Sequence, residues 1–106
     1  MEKKLKLTEF NKLEQLLKDA GIRYEREDSP GDDIFEHHQL RHPEPIGAGC
    51  DQRWLWDVVI SDMSYGRTVG LLEMWGKGMK NPAGYQSAKM CLDMIKEILE
   101  ADVTER

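Results

Sequence analysis

The sequence predicts an α+β two-layer sandwich, in which a four-stranded antiparallel meander sheet carries two helices on one face in the order αββββα. Apolar residues recur at helical spacing near both ends of the chain, and alternating residues fill the middle. The central stretch from Trp54 to Gly76 holds all 3 tryptophans around a Ser64-Tyr65-Gly66 turn. At 106 residues the chain is long enough for one core, so residues 1–106 are expected to form a single domain.

The first helix is predicted over residues 8–20. Thr8 is the expected N-cap, and Gly21 suits the left-handed position after the helix, where Ile22 can fold back on Leu17 in a Schellman motif. The helical stripe consists of Phe10, Leu13, Leu16, Leu17 and Ala20.

Alternation between apolar and polar residues predicts the strands of the meander. The expected strands are 22–27, 34–40, 53–60 and 68–75. Residues 42–52 are rich in proline and glycine and are predicted to form a loop. In the third strand Trp54, Trp56, Val58 and Ile60 share one face, and packing beneath the helices is the expected use of at least Trp56.

The closing helix is predicted over residues 88–101. Ser87 is the preferred N-cap, and Asn81 followed by Pro82 is the alternative start. Residues 102–106 are expected to fray.

Composition disfavours several classes of protein. The net charge of −5 comes with scattered lysines, which argues against direct binding of nucleic acid and leaves open an acidic surface for a basic partner. No apolar run approaches the ~20 residues of a membrane span, and no apolar segment follows the basic N-terminus as in a signal peptide. Cys50 and Cys91 lack CxxC spacing and are expected to be reduced thiols in the cytoplasm.

Metal chemistry has one candidate group, formed by His37, His38 and His42 with Asp51 and Glu73. The spacing is poor, because the two adjacent histidines of a strand point to opposite faces. We therefore expect no metal site and no cofactor.

A polar and aromatic patch is the candidate binding site, and no residue is expected to be catalytic. Glu73 interrupts an apolar strand, so its carboxylate should be paired, hydrogen-bonded or exposed on an uncovered face. Such a patch could stack a base or hydrogen-bond a ribose, while simple exposure of Glu73 and a plain turn at 64–66 are the alternatives. The predicted ligand- or partner-binding residues are His38, Asp57, Ser64, Tyr65, Gly66, Arg67, Glu73 and Trp75.

Motifs along nearly the whole chain resemble those of a family of small uncharacterised proteins encoded by phages and prophages of gut Firmicutes. The matching segments are Ala20-Gly21-Ile22-Arg23-Tyr24-Glu25, Phe35-Glu36-His37-His38-Gln39-Leu40, Trp56-Asp57-Val58-Val59, Ser64-Tyr65-Gly66, Gly70-Leu71-Leu72-Glu73-Met74-Trp75-Gly76 and Gly84-Tyr85-Gln86-Ser87-Ala88. The resemblance implies no particular activity. It implies a phage accessory protein that acts in the bacterial cytoplasm.

Three functions compete at this point. The first is a non-enzymatic phage protein that antagonises a host defence, by binding a defence protein such as a CRISPR effector or by sequestering a small nucleotide signal. The second is a small metal- or acid/base-dependent hydrolase that uses His38 and Glu73, and the third is a structural or regulatory interaction module. Val69, Leu71 and Trp75 are expected to make the uncovered sheet face apolar, which predicts a homodimer through that face.

Overall fold

The computed structural model describes residues 5–29, 36–47 and 53–105. Two helices, α1 (Thr8–Asp19) and α2 (Ala88–Glu105), lie within these ranges. The strands are β1 (Glu25–Ser29), β2 (His37–Arg41), β3 (Pro45–Ile46), β4 (Arg53–Trp54), β5 (Trp56–Ser61), β6 (Leu72–Gly76) and β7 (Ala83–Gln86). The α+β two-layer class is confirmed.

The main antiparallel sheet has five strands in the order β1-β2-β5-β6-β7 in the described part of the chain. The expectation of four strands is wrong, because Ala83–Gln86, outside every predicted strand, forms the fifth strand β7. This strand contains a glycine and pairs with β6 across an irregular register between Leu72 and Met74. Its pairing depends on tertiary contact with β6, which local periodicity does not reveal.

The two predicted strands of the central hairpin are both shorter than expected. The segment 53–60 divides at Leu55, because Trp54 pairs with Pro45 in a separate two-stranded ribbon of β3 and β4. Part of the predicted 42–52 loop is therefore strand, and residues 48–52 lie outside the described ranges. The expected strand 68–75 begins only at Leu72, because Arg67–Val69 forms a 3-10 turn between two glycines with left-handed backbone.

The helix ends follow the predicted signals in part. The Schellman motif is confirmed, since the Ile22 N–H donates to the Leu17 carbonyl at 2.9 Å and Gly21 has a φ of 69°. Ser87 is confirmed as a cap, because its Oγ accepts the Met90 N–H at 3.2 Å. Thr8 is not the N-cap; Leu7 occupies that position without a side-chain cap.

Glu9, the acidic residue in the first turn of α1, connects the two helices. The Glu9 carboxylate accepts the Ala88 N–H at 2.8 Å and so satisfies a free donor at the start of α2. The second helix continues to Glu105, beyond the expected end at 101, and Asp102 lies 3.7 Å from the Lys77 ammonium.

One hydrophobic core joins the helices to a single face of the sheet. Trp56 is the largest fully buried side chain, which confirms its predicted place under the helices. Among the described residues, the buried hydrophobic members of this core are Phe10, Leu13, Leu17, Leu40, Leu55, Trp56, Val58, Ile60, Leu72, Met74, Ala88, Cys91, Leu92, Ile95 and Ile98. Alternate residues of β2, β5 and β6 supply the sheet side of this core, so the intervening residues face away from the helices.

Candidate functional site

The open sheet face, on the side away from the helices, is polar and half-buried. Strand register places the side chains in two cross-strand rows. The rows are Glu25, Arg41, Asp57 and Trp75, and Glu27, Gln39, Val59 and Glu73. The expectation of an apolar face is wrong, because Val69 lies on the 3-10 turn and Leu71 precedes β6. The homodimer predicted from an apolar face therefore loses its basis.

A hydrogen-bond network crosses the open face from β1 to β5. Arg41 Nη1 donates to Glu27 Oε1 at 2.6 Å and to the side-chain Oε1 of Gln39 at 2.8 Å. The Gln39 amide nitrogen in turn donates to the Asp57 carboxylate at 2.9 Å. This arrangement orients Gln39 between a cation and an anion, and it fixes the position of Asp57 at the centre of the sheet.

Asp57 is the residue whose ionisation the open face perturbs. Burial raises the pKa of the Asp57 carboxyl and the charge of Glu73 raises it further, although Gln39, His37 and Arg41 oppose this change. Two carboxylates on adjacent strands, partly withdrawn from water, stabilise a cation placed beside them. The open face thus favours positively charged groups of a partner.

Trp75 is less accessible than its place on the open face suggests. The Arg53 guanidinium lies over its ring, 5.5 Å from the centroid, and the indole N–H donates to the Met79 carbonyl at 3.0 Å. With one ring face covered and its polar atom satisfied, Trp75 is a poor platform for stacking a base.

Two exposed tyrosines meet through their backbones, one in the turn after β5 and one in β7. We call this pair, Tyr65 and Tyr85, the tyrosine tip. Tyr65 is 67% exposed and Tyr85 is 59% exposed. Large exposed tyrosines near one another are typical of protein-binding surfaces, because they supply contact area at low entropic cost.

The backbones that carry the two tyrosines interlock. A Cβ added to Gly84 would lie 2.5 Å from the Tyr65 Cβ, and a Cβ added to Gly66 would lie 3.1 Å from the Tyr85 Cα. The Tyr85 N–H points to the Tyr65 carbonyl at 3.4 Å, and the Glu73 carboxylate accepts the Tyr65 N–H at 2.8 Å. Glu73 is therefore hydrogen-bonded, and it connects the tip to the open face.

Tyr85 has the one positive φ among the described non-glycine residues, at 56°. An aromatic residue in this region is under backbone strain, and such strain persists where the surrounding structure imposes it, often at functional positions. The predicted site omitted Tyr85. The signal in the sequence is the Gly84-Tyr85 pair in the last of the matching segments.

Three of the predicted site residues support the turn instead of facing a partner. Ser64 is buried, and its Oγ accepts the Ser61 N–H at 2.9 Å and donates to the Ser61 carbonyl at 3.1 Å. Arg67 Nη1 donates to the Ser64 carbonyl at 2.8 Å. Gly66 is buried with a φ of 99°, so its role is to let the turn approach Tyr85.

His38 does not belong to the patch, which corrects the prediction. It lies on the helix-covered face at 5% exposure, whereas His37 is half-buried on the open face. The two histidines do point to opposite faces, as predicted. Among the described residues no group of three or more His, Cys, Asp and Glu side chains could hold a metal ion, and Asp51 lies outside those residues.

The buried thiol offers no nucleophile. Burial raises the pKa of Cys91 to about 12, and the charge of Glu9 contributes to the rise. A thiol in this environment stays protonated and unreactive at neutral pH.

No family model, curated protein or solved structure matches the chain. In the described ranges, no helix has the length and apolar character needed to cross a membrane.

Proposed function

We propose that this chain is a non-enzymatic binding protein that uses its tyrosine tip to dock on a defence protein of the bacterial host. The observation that carries the proposal is the interlocked pair Tyr65 and Tyr85, which are exposed although their backbones are held in place. Exposed tyrosines on a fixed backbone are suited to bind a protein surface, because each supplies a large contact area with few rotatable bonds. The phage context comes from the motif resemblance.

The charge beside the tip points to a basic partner surface. Glu73 accepts the Tyr65 N–H at the tip, and its charge adds to the effect of burial in raising the pKa of Asp57, which lies farther along the open face. The protein as a whole carries a net charge of −5. Lysine or arginine side chains of a partner can pair with these carboxylates and contact the tyrosine rings.

The second way to antagonise a host defence, sequestration of a nucleotide signal, is less favoured. Base stacking was expected to involve Trp75, and Arg53 covers one face of that ring. The open face therefore provides carboxylates, which repel phosphate groups, without a free indole platform.

A hydrolase that pairs His38 with Glu73 is not supported by the geometry. His38 is buried under the helices, between Asp28 and Glu36, whereas Glu73 lies on the open face and accepts the Tyr65 N–H. Side chains on opposite faces of one sheet cannot act on a single bond.

The proposal can be tested in bacterial strains that each carry one defence system. Expression of the protein should restore phage plaquing on a strain whose defence protein presents a basic surface, and Tyr65→Ala with Tyr85→Ala should abolish the restoration. The matched control is Met90→Ala with Val103→Ala, two exposed apolar residues of α2, which should keep full activity. Equal restoration by both double variants would contradict the proposed role of the tip.

A parallel measurement separates the alternatives. Thermal-shift and product assays with cyclic nucleotides and ADP-ribose derivatives should show neither stabilisation nor turnover. Stabilisation with the ligand intact would favour sequestration of a signal, and product formation would favour an enzyme.

A further inference from the structure

His38 lies between two carboxylates on the side of the sheet that the tyrosine tip does not use. Its Nδ1 is 2.5 Å from Asp28 Oδ1, and its Nε2 is 2.6 Å from Glu36 Oε2. Both are within hydrogen-bond distance, and the imidazole is almost completely buried.

These two contacts determine how many protons the imidazole and the two carboxylates must hold together. A neutral imidazole carries one N–H, so its second nitrogen has a lone pair directed outward. A lone pair facing a carboxylate oxygen at 2.6 Å without a proton between them is repulsive. The cluster therefore needs one proton more than a neutral imidazole and two carboxylates contain.

The surroundings of His38 provide both signs of charge. From β1, Arg26 Nε donates to Asp28 at 2.9 Å, and the hydrogen bonds of Arg26 and His38 lower the pKa of the Asp28 carboxyl despite the opposing effect of burial. From α1, Phe10 contacts the imidazole at 5.9 Å between ring centroids, and Glu14 binds Arg26 at 2.7 Å.

The remaining neighbours of the imidazole come from β5 and from the residues around Glu36. The partner of His38 on β5 is the apolar Ile60. Beyond it, the Asp62 carboxylate accepts the Glu36 N–H at 3.0 Å. In the part of the chain that the structure describes, the charged side chains around His38 are Glu14, Arg26, Asp28, Glu36 and Asp62, which comprise four carboxylates and one guanidinium.

The two carboxylates that bind His38 also hold separate parts of the fold. Glu36 Oε1 accepts the Leu5 N–H at 3.0 Å and so ties the segment before α1 to the sheet. Asp28 belongs to the edge strand β1. Arg26 of the same strand pairs with both Asp28 and Glu14 of α1. A repulsive contact on either side of the imidazole would loosen the segment that the carboxylate holds.

We propose that His38 is a proton-dependent latch that fastens residues 5–7 and the end of β1 to β2 and releases them when the cluster loses its extra proton. Loss of this proton turns one charge-assisted hydrogen bond into a repulsion, so the latch opens as pH rises. The latch stands apart from the proposed binding function.

Hydrogen exchange of the Leu5 amide, followed between pH 6 and pH 9 and corrected for intrinsic rates, tests the latch directly. The protection factor of Leu5 should fall by about tenfold or more over this range, the size of one lost charge-assisted hydrogen bond. His37→Gln is the matched control, because the adjacent histidine faces the open side, and it should leave the fall unchanged.

Two variants distinguish the latch from a general structural role. His38→Gln should give low protection at both pH values. Glu36→Gln keeps an oxygen for the Leu5 N–H and offers an N–H to the imidazole, so it should give high protection at both pH values. A wild-type protection factor that stays within about twofold across the range would overturn the proposal, as would a Glu36→Gln variant that retains the full pH dependence.

Discussion

In the described part of the chain, large apolar side chains are exposed at the tyrosine tip and on the outer surface of α2, among other places. On α2, Met90 is 48% exposed and Val103 is 68% exposed, and 13 positions of helix separate them. At the tip, Tyr65 and Tyr85 belong to different elements whose backbones are in contact. Single exposed apolar residues are normal on a protein surface, so exposure alone indicates little. The tip differs because the fold holds two aromatic residues together.

The largest effect on stability is expected at the contact that holds the tip together. A Cβ at Gly84 would lie 2.5 Å from the Tyr65 Cβ, so Gly84→Val should lower the free energy of unfolding by about 1–3 kcal/mol through overpacking. Val103→Ala on the α2 surface should change it by less than about 0.5 kcal/mol. Urea denaturation measures both, and a Gly84→Val variant as stable as Val103→Ala would show that the tip is not interlocked.

A smaller effect of opposite sign is expected at Tyr85. Asparagine tolerates a positive φ better than tyrosine, so Tyr85→Asn should raise the free energy of unfolding, by up to about 1 kcal/mol, while it reduces binding. Urea denaturation and the plaquing assay together measure this trade of stability against activity. A variant that loses stability and retains activity would refute the strain argument.

The smallest effect on the free energy of unfolding is expected at Asp57 on the open face. Because burial and Glu73 raise the pKa of Asp57, its ionisation is less favourable in the folded state than in the unfolded state. The protein therefore loses stability as pH rises from the unfolded pKa of about 3.9 through the raised folded value, and the loss then stays constant at higher pH.

Removal of the charge should reverse this loss. Asp57→Asn should be more stable than the wild type at pH 7, by on the order of 1 kcal/mol or less, with the difference disappearing below about pH 3.9. Asp93→Asn is the control, because Asp93 is an exposed helix residue paired with Lys89 at 2.9 Å, and its replacement should change the stability little. Denaturation curves across pH measure both variants, and a constant difference for Asp57→Asn would contradict the raised pKa.

Local signals in the sequence account for the helices and for one side of the sheet. The Schellman residues and the Ser87 cap act within one turn of chain, so they could be predicted. Alternation likewise assigned Asp57 and Glu73 to the open face. The four-residue strand β7 was missed because its register with β6 is irregular and its Tyr85 has left-handed backbone.

The site was harder to predict, because its members meet through tertiary contacts. His38 seemed suited to a polar surface, yet two carboxylates compensate its burial. Alternation places Glu36 on the same face as His38, but Asp28 reaches His38 only through the pairing of β1 with β2. Ser64 lies in the predicted turn and Arg67 follows it, but both side chains donate their hydrogen bonds to backbone carbonyls of the same segment. Tyr65 was predicted from its turn, whereas its partner Tyr85 lies 20 residues away.

The most direct test of the proposed binding surface is photo-crosslinking to the defence protein that the plaquing assay identifies. Benzoylphenylalanine placed at position 65 or 85 should crosslink to that protein, and the same group at position 90 or 103 should not. Crosslinks from the α2 positions, with none from the tip, would contradict the account.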